Sequence, residues 1–376
     1  MEKKKILFTF ELEAGMIVAD DVYRPNGALL FPKHTMLNDL MIAKLPLYNI
    51  LELPIVDGPI EKPDFDIAKL VELAKKQAAD VSVPSTSDSY AQKVKSSSEF
   101  QDFSNNYNER INKISNHLDD FVNGKSALDA DALVSNALNL INGNSLHLFD
   151  MLHNLQTHDD SVYEHSTNVA LISAAIGKWL NLSEQDIYNL TLSGLLHDIG
   201  KLSLPAELLN KPEKLTDEEF AVIKSHPKKG YEYLRDYPCD IRIKEACLLH
   251  HERCDGSGYP FGVTGNKISD YAKIVSIADV YDAMTSPRSY RPALCPFKAI
   301  EVFESEGLYK YDPKFIMTFL ERIGSSYLNN NVLLNDGRTG EIVMINKLSL
   351  SRPMIKYNGE FIDLSKHPEL SIESII

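Results

Sequence analysis

Between positions 165 and 279, five histidines and two aspartates sit inside apolar runs of helical length. They are His165 in "YEHSTNVA", His197 and Asp198 in "GLLHDIGK", His226 in "KSHPKKG", His250 and His251 in "LLHHERCDGSGYP", and Asp279 in "IVSIADVYDAM". This pattern constrains the fold more than any other feature, because a buried polar group needs a partner and a buried charge needs a counter-charge. Taken singly, each residue has an ordinary reading as a hydrogen-bonded or solvated side chain. Together, spread over several helices, they need positive charge among them, and a metal site supplies it.

Imidazole and carboxylate donors suit divalent iron or manganese, with nickel or zinc also accommodated. No cysteine belongs to the set, which argues against a structural zinc site. Seven donors exceed what one tetrahedral ion uses, so two ions are expected, with Asp198 as the bridging carboxylate. Neighbouring positions on a helix point about 100° apart. His250 and His251 stand where the apolar run gives way to a Gly-Pro loop, so each ring is expected to serve its own ion.

The fold class expected is mainly α, a helical bundle over residues 100–325 flanked by a small β-rich N-terminal module and a short β-rich tail. In the bundle, "NVALISAAIGKWL" places Val169, Ile172, Ile176 and Trp179 on one face of an amphipathic helix. Ser183 with Asp186, and Thr216 with Glu219, mark helix starts. In residues 1–60, "GMIVADDVY" and "GALLF" flank a hairpin signal at Asn26-Gly27, and the short helical pattern "LNDLMIAKL" leads to "ILELPIV". Residues 61–99 carry a helical pattern from Pro63 to about Gln77 and then a serine-rich linker. In residues 326–376, apolar runs around "NDG" and "NG" predict a small sheet or a hairpin pair.

A net charge of −14 argues against a nucleic-acid polymer as partner. No apolar run reaches membrane length and no signal peptide is seen, so the expected location is the cytoplasm. The four cysteines form no CxxC pair and are expected to be reduced, packed thiols.

"HDIGK" together with "HHERCDGSGYP" resembles the HD-GYP family of HD-type metal-dependent phosphohydrolases, over roughly Phe100 to Ile323. The resemblance implies a helical bundle that hydrolyses cyclic di-GMP to pGpG, and onward to GMP, at a di- or trinuclear metal centre. It carries His165, His197, Asp198, His226, His250, His251 and Asp279 onto the family's ligands and Lys201 onto its phosphate-contacting lysine. Arg288 and Arg291, in "SPRSYRPA", fall on basic residues that face the phosphate, and Gly258, Tyr259 and Pro260 on the signature loop. Three-metal members resemble one another in a glutamate four residues before the first histidine. Here that place is Ser161, so two ions are expected and a third is not, unless Asp159 or Asp160 compensates.

In this reading a water held between the ions becomes hydroxide near neutral pH and attacks a ring phosphorus in line with the departing ribose 3′ oxygen. Lys201, Arg288 and Arg291 stabilise the phosphoryl charge. Gly256 and Gly258 are expected to take positive φ. Asp282, one turn after Asp279, and Glu252 are placed to orient ligands. His147, His153 and His158 fit no ligand pattern and read as packing or surface residues. Two alternatives stand: a phosphodiesterase for another cyclic dinucleotide such as cyclic GMP-AMP, and a non-catalytic cyclic-dinucleotide sensor signalling through a protein partner. Whether the terminal β regions pack together or support a homodimer is left open.

Overall fold

Ser183 and Thr216 do open helices. In the computed structural model, Ser183 Oγ accepts from Asp186 N, and Thr216 and Glu219 cap each other reciprocally, which satisfies N–H groups that have no intrahelical acceptor. The structure describes residues 3–23, 29–38, 41–42, 45, 50, 52–57, 94–141, 145–155, 161–209, 211, 215–286, 293–305 and 308–376.

The helices, in chain order, are α1 Ser98–Val122, α2 Ala130–Leu138, α3 Ser145–Asn154, α4 Val162–Trp179, α5 Glu184–Leu196 and α6 Ala206–Leu209. They continue with α7 Asp217–Ile223, α8 His226–Leu234, α9 Ile241–Leu249, α10 Asp270–Thr285, α11 Pro296–Ser305 and α12 Pro313–Ser326. A 3₁₀ turn, Ile199–Ser203, follows α5. None of these helices is long and apolar enough to cross a membrane.

The one-sided apolar face expected for α4 is not what the structure shows: every residue from His165 to Gly177 is buried. The helix is central, packed against α5 and α10, so it has almost no solvent side. Small residues make this packing fit. A Cβ added at Gly194 of α5 would lie 2.4 Å from Ala170 Cα, so the two backbones touch there. That close approach brings His165 near the start of α4 beside His197 at the end of α5, ring centroids 5.2 Å apart.

In the N-terminal region β1 Lys4–Phe8 pairs antiparallel with β4 Glu52–Val56, and β2 Val22–Tyr23 with β3 Leu29–Phe31. The strands flank the predicted Asn26-Gly27 turn, which itself lies outside the described residues, as do the helical pattern over 63–77 and most of "LNDLMIAKL". Val18, Phe31, Leu37, Leu53 and Ile55 form a small core of their own.

Of the two forms expected for the tail, the small sheet is the one present. It is one five-stranded antiparallel sheet, ordered β8-β7-β6-β5-β9. Its strands are β5 Asn331–Leu334, β6 Thr339–Met344, β7 Met354–Tyr357, β8 Glu360–Asp363 and β9 Ile372–Ile375. Asn358 and Gly359, at φ 50° and 86°, make the two-residue turn whose twist matches the strands it joins. Val332, Leu334, Ile342, Ile355 and Ile372 belong to the same apolar core as the bundle. All four cysteines are free thiols, Cys247 and Cys295 buried.

The loop between β6 and β7 is held from both sides. Leu348 packs against the N-terminal core, and the buried Glu304 of α11 accepts from Leu350 N at 2.7 Å and from the Ser351 hydroxyl. Burial pushes the Glu304 carboxyl up to about 7, against the opposing hydrogen bonds. A folded-state pKa above the unfolded one gives stability that is full at low pH and lost as pH rises through 7. Glu304→Gln, which cannot ionise, is therefore expected to remove a loss on the order of 1 kcal/mol between pH 6 and 8. Urea melts of both proteins at the two pH values check this; parallel losses in both would refute it.

Candidate metal centre

Four of the five histidines of the cluster, all but His251, are aimed by what the second ring nitrogen donates to. His197 Nδ1–H donates to Gly194 O at 2.7 Å, His226 Nδ1–H to Ile223 O at 2.8 Å and His250 Nδ1–H to Cys247 O at 2.9 Å. A carbonyl only accepts, so these bonds fix the proton on Nδ1 and leave the Nε2 lone pair facing inward. The acceptors come from the last turn of helix beside each histidine, where carbonyls lack intrahelical partners. His165 differs, since its Nδ1–H donates to the Asp282 carboxylate at 2.7 Å.

Inward, the ligand atoms converge. Asp198, His226, His250 and His251 each bring one donor atom within 4.8 Å of the others, and His165, His197 and Asp279 do the same in a second group. Asp198 joins the two: Oδ1 is 3.1 Å from His226 Nε2, and Oδ2 is 3.3 Å from His197 Nε2 and 3.6 Å from His165 Nε2. His197, Asp198, His226 and His250 are wholly buried.

The donor set fits a divalent cation. His197 Nε2 and Asp198 Oδ1 are buried and make no hydrogen bond, despite the short separations just given. His226 Nε2 and His250 Nε2 lie 3.2 Å apart with both Nδ1 atoms already donating, so two lone pairs face each other. Unpaired lone pairs cost free energy in a dry interior, and a cation answers all of them at once.

Charge follows the same arrangement. Burial alone would raise Asp198, but His197 and Lys201 hold its carboxyl well below the usual range. Burial likewise opposes ionisation of Asp279, yet its hydrogen bond from His165 keeps it low. Burial pushes His251 down to about 3 and, with its neighbouring imidazoles, pushes His250 down as well. For His165 burial is outweighed by Asp279 and Asp282, which raise it to about 9.

The structure brings together all seven of His165, His197, Asp198, His226, His250, His251 and Asp279. One expectation changes: His250 and His251 fall in the same group of donors rather than serving one group each. Helix α9 stops at Leu249, His250 keeps helical φ and ψ as its cap, and the chain then turns, leaving the two rings 4.1 Å apart between centroids. Lys201 Nζ reaches Asp198 Oδ2 at 2.5 Å. Arg288, Arg291, Asp159, Asp160, His158 and the side chain of His147 lie outside the described residues. His153 is half-buried on α3 and belongs to neither group. Ser161 caps α4, its Oγ accepting from Glu164 N.

The signature loop has a different logic from the one expected. Gly256 does take positive φ, 81°, but Gly258 does not. A Cβ at Gly258 would sit 2.4 Å from Glu252 Cα and 2.5 Å from His251 O, so this glycine is needed for close backbone approach. Glu252 orients no histidine; its buried carboxylate accepts from Phe261 N at 2.7 Å, Gly262 N at 3.2 Å and Val263 N at 3.1 Å and ties the loop down. Tyr259 then stacks on the His251 ring, centroids 4.6 Å apart. Sequence reasoning missed Ser286, whose hydroxyl donates to Asp282 Oδ1 at 2.7 Å and steadies the carboxylate that aims His165. Its i, i+4 spacing from Asp282 was the available signal.

Known proteins resemble part of the chain. The HD domain family matches residues 150–315. A cyclic di-GMP phosphodiesterase of Pseudomonas aeruginosa is 37% identical over 203 residues, covering 54% of this chain and 49% of that protein. Another, from Borreliella burgdorferi, is 31% identical over 214 residues, 56% of each. A 3′3′-cGAMP-specific phosphodiesterase of Vibrio cholerae is 35% identical over 150 residues, 40% of this chain and 33% of that protein. The chain thus spans about half, or less, of the length of these curated relatives.

Proposed function

We propose that this chain, whose residues 150–315 match the HD domain family, is a metal-dependent cyclic di-GMP phosphodiesterase of the HD-GYP kind, acting in the cytoplasm. Two divalent ions, iron or manganese, would be held by His165, His197, Asp198, His226, His250, His251 and Asp279. The observation that supports this most is the convergence of buried imidazole lone pairs on Asp198, with His197 Nε2 and Asp198 Oδ1 left without hydrogen bonds. When bound, the ions supply Lewis acidity and lower the pKa of water.

The protein's own residues account for positioning. Asp282 holds His165, and the carbonyls of residues 194, 223 and 247 hold three further rings. Lys201, partly exposed beside Asp198, stands where a phosphoryl oxygen would meet a fixed cation, the arrangement that stabilises charge developing in phosphoryl transfer. Tyr259 stacks on the His251 ring and backs it from the signature loop.

Incubating the metal-loaded protein with cyclic di-GMP and with cyclic GMP-AMP, and resolving the products, tests the reading. Release of pGpG or GMP from cyclic di-GMP is expected. Turnover of cyclic GMP-AMP alone would move the assignment to that substrate, and tight binding without turnover would make the protein a sensor. In the same assay Lys201→Ala is expected to keep its metal, measured by elemental analysis, while kcat falls on the order of 10²-fold, the scale of one lost charge-stabilising donor.

A further inference from the structure

Beside the metal centre lies a rim that the proposed chemistry leaves without a role. Phe220 on α7 and Phe261 just past the signature loop are 44% and 54% exposed. Each carries a lysine: Lys224 Nζ is 4.6 Å from the Phe220 centroid and Lys228 Nζ is 5.1 Å from that of Phe261. Among the described residues neither lysine has a carboxylate in salt-bridge range. Lys224 is also 5.2 Å from the ring centre of Tyr259, which itself stacks on His251. Phe220, Lys224, Tyr259 and His251 therefore form an unbroken line of contacts from solvent to the ligands, while Lys228 stands two residues after His226.

The Phe261 ring is exposed but its backbone is not free, because its N–H is held by the buried Glu252. A fixed backbone presenting an open ring is a preorganised surface, which lowers the ordering cost of binding. Aromatic faces stack on nucleobases. An ammonium beside such a face adds direction: guanine turns two acceptors, O6 and N7, toward a lysine, whereas adenine puts an N6–H donor in place of O6.

We propose that Phe220, Lys224, Lys228 and Phe261 seat a guanine base of the substrate and select guanine over adenine. The proposal rests on the cyclic-dinucleotide reading above and goes further by assigning base selection to residues outside the metal cage.

The test uses the metal-loaded full chain with cyclic di-GMP and cyclic di-AMP. Phe220→Ala and Phe261→Ala are each expected to raise KM for cyclic di-GMP about 10-fold, the scale of one lost stacking contact, at unchanged metal content. Phe261→Trp should restore it, whereas Phe261→Leu, which keeps apolar volume but no aromatic face, should not. Lys224→Gln and Lys228→Gln should lower the preference for cyclic di-GMP over cyclic di-AMP about 10-fold. Unchanged KM and preference across the set, or full rescue by Phe261→Leu, overturns the proposal. If the wild type binds cyclic di-GMP without turning it over, the enzymatic reading fails alone, and the rim is judged by dissociation constants: an unchanged Kd in Phe261→Ala overturns it, a 10-fold weaker one supports it. Absence of binding to the wild type overturns both.

Discussion

Asp198→Ala is expected to lose metal from both donor groups and to lower kcat on the order of 10⁴-fold, because several kcal/mol of transition-state charge stabilisation leave with the ions. The prediction follows from position. Asp198 is the residue whose two oxygens lie within 3.7 Å of His165, His197, His226 and His250, so its removal unties both groups at once. Asp198→Asn keeps the volume and tests charge separately; a neutral amide cannot replace an anionic donor, so it should fail nearly as badly. Elemental analysis beside turnover decides the matter. Full metal content with undiminished turnover in Asp198→Ala would mean that the cage is not the active site.

Glu252→Ala is expected to lower folding stability by about 3 kcal/mol, since three backbone N–H groups lose a buried charged acceptor. Glu252 is 2% exposed, and its carboxylate grips residues 261–263 across the signature loop. Releasing them should also loosen Tyr259 from the His251 ring, so KM should rise even where the protein remains folded. Glu252→Gln keeps one acceptor oxygen and should recover part of the loss. A urea midpoint within experimental error of wild type would show that water replaces the carboxylate without cost.

Much of the site was legible because its residues break a pattern. A histidine or aspartate inside a helical apolar run stands out in one dimension, and so do the cap at Ser183 and the turn at Asn358-Gly359, whose chemistry is local. What escaped depends on neighbours distant in sequence. Gly258 reads as a turn glycine until the backbone of residues 251–253 is seen against it. Glu252 is adjacent to a ligand in sequence, yet its carboxylate faces residues nine to eleven positions onward. Burial of α4 on every side follows from its central place among the helices, which its own periodicity cannot reveal. Strand β9 pairs with β5 across some forty intervening residues, with no local turn to announce it.

The terminal sheet also changes what counts as the unit of inheritance and of engineering. Phe297 of α11 rests against Tyr327, their centroids 5.9 Å apart, and the inner residues of β5, β6, β7 and β9 continue the interior of the helices without a seam. Severing everything beyond Ser326 would therefore open a greasy wound along α11 and α12 rather than release a tidy globule. The last strands close the apolar core on the side of α11 and α12, and moving the helical bundle onto another protein means carrying them along.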